Sequence, residues 1–325
     1  MTTISTSTAL DRPITAWLTR QRALGRQYDN EERVLASLQR FIARFPVRDL
    51  DQKSFDLWCD TLRALDANTR RARQRIVRKF CLYRQRTEPG CFVPNPLYFA
   101  RRHPGRMPVI VGPEHVARML AATEALRPTT RSPLRSAVMR LAIVILYTAG
   151  LRRGELLRLT LDDVEPRTGI LRIRSSKFHK SRLVPLSPEA GDELRAFLSK
   201  RLALSLDASP HAPLLCNIKG GLRGYTGTGL SRGIHALFKI ARVHDSEGQR
   251  PRIHDLRHSF AVQALLRWYR DGADVQSNLP RLAMYMGHVS IVSTAHYLHF
   301  VPALAELASD RFEKSFGNLI EEMPR

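Results

Sequence analysis

The sequence predicts a mainly α chain with a small β-sheet, divided into two domains, and three observations carry that expectation. Apolar residues recur at helical spacing through residues 13–89, with no alternating stretch among them. A proline-rich, basic segment then breaks the pattern. Beyond it, the segment "GILRIRSSKFHKSRLVPLSP" alternates apolar and polar residues as a half-buried pair of strands does.

The expected first domain, 11–100, is helical, with Val34, Leu35, Leu38, Phe41 and Ile42 on one apolar stripe. Its run "NTRRARQRIVRKFCLYRQR", residues 68–86, holds eight basic side chains and no acidic one. Arg71, Arg75 and Arg78 fall at i, i+4 and i+7 on one face, and Ile76, Phe80 and Tyr83 on another. One face can therefore pack while the other follows a phosphate backbone, which makes Arg70, Arg71, Arg75, Arg78 and Lys79 candidate DNA-binding residues. A charge run is usually a solvated face, but here the whole chain is cationic. Five prolines between residues 90 and 113 mark a linker, assigned to 101–112. The second domain, 113–315 with a tail to 325, opens at Pro113 and Glu114, which suit a helix start. Its longest apolar run, "LAIVILYTAGL", is too short to span a bilayer and leads straight into Arg152 and Arg153, so it reads as a core helix. The alternating segment places strands around Ile170, Leu171 and Ile173 and around Leu183, Val184 and Leu186, with the turn at 175–181.

At 325 residues and 43% hydrophobic content the chain can build two cores. Its 52 Lys and Arg against 30 Asp and Glu leave a net charge of +22. That balance favours a polyanionic partner, nucleic acid before anionic membrane, because each cation laid on a phosphate releases a counterion. A basic structural protein would explain the charge equally well. Cys59, Cys81, Cys91 and Cys216 form no CxxC pair and read as reduced cytosolic thiols. The N-terminus has neither the basic nor the apolar region of a secretion signal. A cytoplasmic protein with no membrane partner is expected.

Four short stretches of the second half carry reactive side chains. "YTAGLRRGELLRL" holds Arg152, with Glu155 at i+3. Lys177 stands in the hairpin turn, "HDLRHSFA" holds His254 and Arg257, and "GHVSIVSTAHYLH" holds His288 and Tyr297. Singly each is weak. Tyr297 could be a half-buried aromatic, and His254 with His258 has the i, i+4 spacing of a metal pair. An arginine between those histidines disfavours a cation there, and no metal or other cofactor is expected. Together the residues are what metal-free transesterification at a phosphodiester needs. Two arginines can clamp the equatorial oxygens, and a tyrosine can form a phosphate ester. A histidine can move its proton, and a lysine can protonate the leaving oxygen.

The order Arg, Lys, His-x-x-Arg, His, Tyr resembles the tyrosine recombinases, also called phage-type integrases. "TAGLRRGEL" is similar to their first arginine box and "HDLRHSFA" to their second, while "MGHVSIVSTAHYLH" is similar to the box holding the nucleophile. The resemblance implies a helical SAM-like core-binding domain that clamps DNA, a hinge, and a tyrosine recombinase catalytic domain. It implies catalytic roles for Arg152, Lys177, His254, Arg257 and His288, support from Glu155, and Tyr297 as nucleophile. Lys180 is the alternative to Lys177 as general acid. The segment before His288 is a few residues longer than in compact Xer-like members.

The implied reaction is site-specific strand exchange through a 3′-phosphotyrosyl bond. Its substrate would be double-stranded DNA with short core sites arranged as inverted repeats. A homo-tetramer would bind two sites and exchange C-terminal segments, with accessory proteins or partner recombinases as further contacts. Integration, excision, transposition and resolution are all open, and the protein would work at the nucleoid. About a dozen residues precede the first predicted helix, so no separate arm-binding domain is expected. Two rivals stand beside this reading: a type IB topoisomerase, and a catalytically silent DNA-binding accessory protein.

Overall fold

A computed structural model describes residues 8–45, 49–174, 181–288 and 290. The turn carrying Lys177 and Lys180, and Tyr297 with its flanking histidines, lie outside the described residues. The chain forms two compact units, divided between Arg106 and Met107.

Four helices build the first unit: α1 (Asp11–Ala23), α2 (Asp29–Ile42), α3 (Gln52–Asp60) and α4 (Ala67–Arg84). The stripe read on α2 is its buried face, with Val34, Leu35, Leu38 and Ile42 enclosed. They meet Trp17 of α1 and Phe80 of α4 in one core, where those two rings lie 5.9 Å apart. Asp51 and Asp66 cap α3 and α4 by accepting the backbone amides of Ser54 and Thr69.

The second unit holds α5 (Pro113–Ala122), α6 (Arg135–Thr148), α7 (Arg153–Arg158), α8 (Pro188–Ala203), α9 (Gly227–Ile240), α10 (Asp255–Arg270) and α11 (Val275–Met286). The apolar run belongs to α6, which packs against α5, α8, α9 and α10. A helix covered on that many sides has little need of a polar face, and residues 141–146 are all buried. The longer segment before His288 is folded as α11, with Pro280 in its first turns. Val109 and Val111, expected in the linker, are buried in this unit, and their amides donate to Asp255 and to the Ser259 hydroxyl at the start of α10.

Three antiparallel strands, β1 (Val164–Glu165), β2 (Ile170–Ile173) and β3 (Arg182–Pro185), form the expected sheet. A second ladder, β4 (Cys216–Asn217) with β5 (Arg223–Gly224), was not expected: strands of two residues are too short to show alternation. In the β2–β3 register Leu171 faces Val184 and Ile173 faces Arg182, so Arg182 shares the buried face with Val184. By the same parity Leu183 faces outward and is 61% exposed.

Candidate active site

Arg152 sits at the N-cap of α7, and Glu155 in the first turn reaches back to it. The Glu155 carboxylate accepts the Arg152 backbone amide at 3.0 Å and its Nη1 at 2.8 Å. Gly150, just before, has φ +59 and brings its carbonyl against α10. A Cβ there would lie 2.3 Å from the Phe260 ring, so only glycine fits. That carbonyl accepts Nη1 of Arg257, whose side chain is almost wholly enclosed.

The other wall of the site is the end of α11. The helix stops in a Schellman-type turn: Gly287 takes φ +68, and the His288 amide donates back to the Ala283 carbonyl at 2.8 Å. Three successive carbonyls there each accept a guanidinium from a different element. Tyr285 takes Nε of Arg182 at 2.8 Å, Met286 takes Nη2 of Arg257 at 2.7 Å, and Gly287 takes Nη2 of Arg152 at 2.8 Å. Cations at a helix C-terminus are favoured by its partial negative charge. The carbonyls in turn fix the planes of the guanidiniums.

Glu155 is the carboxylate that Arg152 and Arg182 share, and it is 3% exposed. Burial alone would raise its pKa. Hydrogen bonds from Arg182 and from the amide and side chain of Arg152, with the charge of Arg182, hold it down to about 2. It is thus ionised throughout the physiological range. Three guanidiniums against this one carboxylate leave the site cationic, as an anion requires.

The histidines here are neutral at pH 7. Burial, and then Arg257, Arg152 and Arg182, push His288 down to about 4. His258 is pushed to about 4 by burial and by His254, whose ring it meets edge-on at 4.8 Å. His254 keeps part of its ring at the surface, yet surrounding protein and Arg257 still hold it below the ordinary imidazole value. Asp255 is buried and accepts the backbone amide and guanidinium of Arg252. Among the described residues no cluster of His, Cys, Asp and Glu could hold a metal ion.

Of the sequence candidates, Arg152, Glu155, His254, Arg257 and His288 are brought to one place, whereas Lys177 and Tyr297 are outside the described residues. Arg182 was missed. Its signal was the strand parity that puts a charged residue in phase with Val184, on the inward face.

The basic residues of α4 differ in their surroundings. Arg71 and Arg78 are half-buried, and their guanidiniums donate to the carbonyls of Ala100 and Pro94. Asn68 pairs with both backbone groups of His103, and Gln74 accepts the Ala100 amide. This face of α4 therefore fastens the segment 94–103, whose backbone, apart from the short 3-10 turn at Pro96–Tyr98, has no helix or strand to satisfy it. Arg84 is likewise buried and ion-paired with Asp49 and Glu88. Arg75 is exposed, and Lys79 reaches the Tyr28 hydroxyl at 2.8 Å. Arg70 is half-buried. Arg101 and Arg102, on the fastened segment, are exposed cations that the helical reading did not include.

Comparison with known proteins points one way. The phage integrase family model matches residues 111–303. A Sinorhizobium fredii protein named as an integrase/recombinase, y4rE, is 32% identical over 273 residues, covering 82% of this chain and 86% of its own. Tyrosine recombinase XerD of Ralstonia nicotianae is 28% identical over 233 residues, covering 72% and 69%. Among solved structures, the Tn1549 transposon integrase in complex with a circular intermediate DNA shares the fold at TM-score 0.64 and 17% identity, covering 94% of this chain and all of that one. XerH recombinase bound to its palindromic difH substrate shares it at TM-score 0.58 and 21% identity, covering 81% and 70%. No helix among the described residues is long and apolar enough to cross a membrane.

Proposed function

The chain belongs to the phage integrase family, and on that premise we propose that it is a site-specific DNA recombinase working through a covalent 3′-phosphotyrosyl intermediate on Tyr297. The observation that carries this reading is the anchoring of Arg152 and Arg257 on adjacent carbonyls of one helix end, beside a neutral His288.

Attack on a phosphodiester gathers negative charge on the non-bridging oxygens. Guanidiniums whose planes are already fixed stabilise that charge without reorganising at the moment of reaction. A neutral His288 adds a hydrogen bond and no competing charge. His254, held below the ordinary imidazole value, is free of its proton at pH 7 and able to accept one from tyrosine. The bond from the Tyr297 oxygen to phosphorus forms as the bond to the 5′-oxygen breaks, and Lys177 supplies the proton that makes a 5′-hydroxyl. Attack by a 5′-hydroxyl of a second duplex reverses the step and rejoins the strands, so the reaction consumes no external energy.

The substrate is double-stranded DNA, and Arg75, Arg101 and Arg102 are among the exposed cations of the first unit that can meet its phosphates. A homo-tetramer on two sites, exchanging the segment "PALAELASDRFEKSF" between copies, fits this chemistry. An apolar groove of about 790 Å³ lined by Phe260, Trp268, Leu282 and Tyr285 supports a docking place for that segment. The setting is the cytoplasm, on a mobile element or replicon.

The test is capture of protein-linked DNA under denaturing conditions from cells that carry the native flanking DNA. Wild type and Tyr297→Phe are compared, and the break positions are sequenced. Adducts at a few discrete sites, absent in the variant, support the proposal. Scattered adducts that depend on Tyr297 would favour the topoisomerase, and non-covalent binding with no adduct would favour the accessory protein.

A further inference from the structure

Arg182 does two things at once. From the inward face of β3 its Nη1 and Nη2 donate to both oxygens of Glu155, at 3.1 and 3.0 Å, while its Nε donates to the Tyr285 carbonyl at 2.8 Å. Glu155 holds Arg152, and Arg152 holds the Gly287 carbonyl, so the bonds close a ring: Arg182, Glu155, Arg152, end of α11, Arg182. The side chain is 12% exposed and pressed between its partners. A Cβ on Gly287 would come within 2.7 Å of Arg182 Nη1, so the helix end and the guanidinium are fitted to each other.

We propose that Arg182 is a positioning residue of the phosphoryl-transfer site, locking the hairpin, the Glu155–Arg152 pair and the end of α11 into one geometry; this rests on the recombinase reading above. Its planar fork is what the place demands. A lysine has one ammonium and cannot span a carboxylate and a carbonyl on different edges. Without the fork Arg152 keeps its charge but loses the fixed plane from which it meets the phosphate, and a displacement of about 1 Å is worth about 100-fold in rate. Arg182 also stands five residues after Lys177, and His288 nine before Tyr297, so the ring joins the two ends from which the proton donor and the nucleophile depart.

The experiment uses the full chain and a synthetic duplex of a break site recovered with the wild type, in single turnover. The scissile position is made either as the ordinary phosphodiester or as a methylphosphonate, which lacks the charge that Arg152 meets. Wild type must cleave the ordinary duplex; if it does not, the recombinase reading falls, and this inference with it. If it does, R182Q is expected to cleave about 100-fold more slowly with DNA affinity within about threefold of wild type. R182K should recover no more than a tenth of the wild-type rate. E155Q/R182Q should be no slower than the slower single variant, because both act through Arg152. On the methylphosphonate the R182Q deficit should shrink about tenfold or more, since the misplaced charge is no longer needed. Should R182Q fail to fold, as read from its circular dichroism, R182K carries the same comparison. Wild-type cleavage by R182Q or R182K, deficits that multiply in the double variant, or an equal deficit on both duplexes would overturn the proposal.

Discussion

Replacing Glu155 by glutamine keeps the shape of the side chain and removes its charge, and the structure sets what that costs. The carboxylate is 3% exposed and accepts four hydrogen bonds, all from Arg152 and Arg182. Holding a carboxyl at about 2 against an ordinary 4.5 corresponds to about 3 kcal/mol, at about 1.4 kcal/mol for each tenfold change in proton affinity. Removing one partner of a buried ion pair independently costs about 3–5 kcal/mol. The glutamine amide would also turn N–H groups toward guanidinium donors. E155Q should therefore destabilise the second unit by about 3 kcal/mol at pH 7. The sign with pH follows from the depressed pKa: the stabilisation is complete above about 4.5 and is lost as pH falls toward about 2, so the two proteins should converge across that window. The assay is urea unfolding followed by fluorine NMR of 5-fluorotryptophan, where Trp268 reports the second unit and Trp17 and Trp58 the first. A loss under about 1 kcal/mol at pH 7, or a deficit unchanged at pH 3, would refute the reasoning.

The other expectations follow from the same geometry. Arg71→Gln should destabilise the first unit by about 1–2 kcal/mol, because it frees the Ala100 carbonyl and the segment behind it, with little effect on salt dependence. Arg75→Gln should leave stability alone and lower the slope of log affinity against log salt by about 0.9, as titrated by fluorescence anisotropy on duplex DNA. Gly150→Ala should cost about 3 kcal/mol and abolish cleavage, since a Cβ meets Phe260 and moves the carbonyl that orients Arg257; a stable, active variant would count against that role. His258 and His288, both held near 4 in the fold, bind more protons when unfolded. Stability is therefore complete above about 6.5 and falls toward pH 4 by about 1.4 kcal/mol per pH unit for each histidine. H258Q should lower that slope by about 1.4 kcal/mol per pH unit in unfolding curves recorded from pH 7 to 4.5.

How far the sequence was legible depended on whether a feature repeats locally. The α2 stripe and the α6 run declare themselves through periodicity, and the Pro113 helix start through a local steric rule. The arginine boxes are legible for a different reason: Arg152 with Glu155, and His254 with Arg257, are neighbours in the chain as well as in space. What sequence reading missed is long-range. Arg182 meets Glu155 across 27 positions and Tyr285 across 103, and nothing in the local pattern names those partners. The carbonyl partners of Arg71 and Arg78 went unseen for the same reason. Helical spacing showed that the two arginines share a face, but a carbonyl some 29 and 16 residues on occupies it. A basic face is a partner for any exposed acceptor, and an extended proline-rich segment supplies those as readily as phosphate does. The β4–β5 ladder escaped because it is set by tertiary contact and not by pattern.

The most direct test of the whole account is the chemical identity of the protein–DNA bond. Wild-type protein trapped on DNA is digested with protease and nuclease, and the linked peptide is sequenced by mass spectrometry. The expected product is a nucleotide 3′-phosphate on the Tyr297 oxygen, with a 5′-hydroxyl on the released strand. A phosphate carried by another residue, or a 5′-phosphotyrosyl bond, would contradict it.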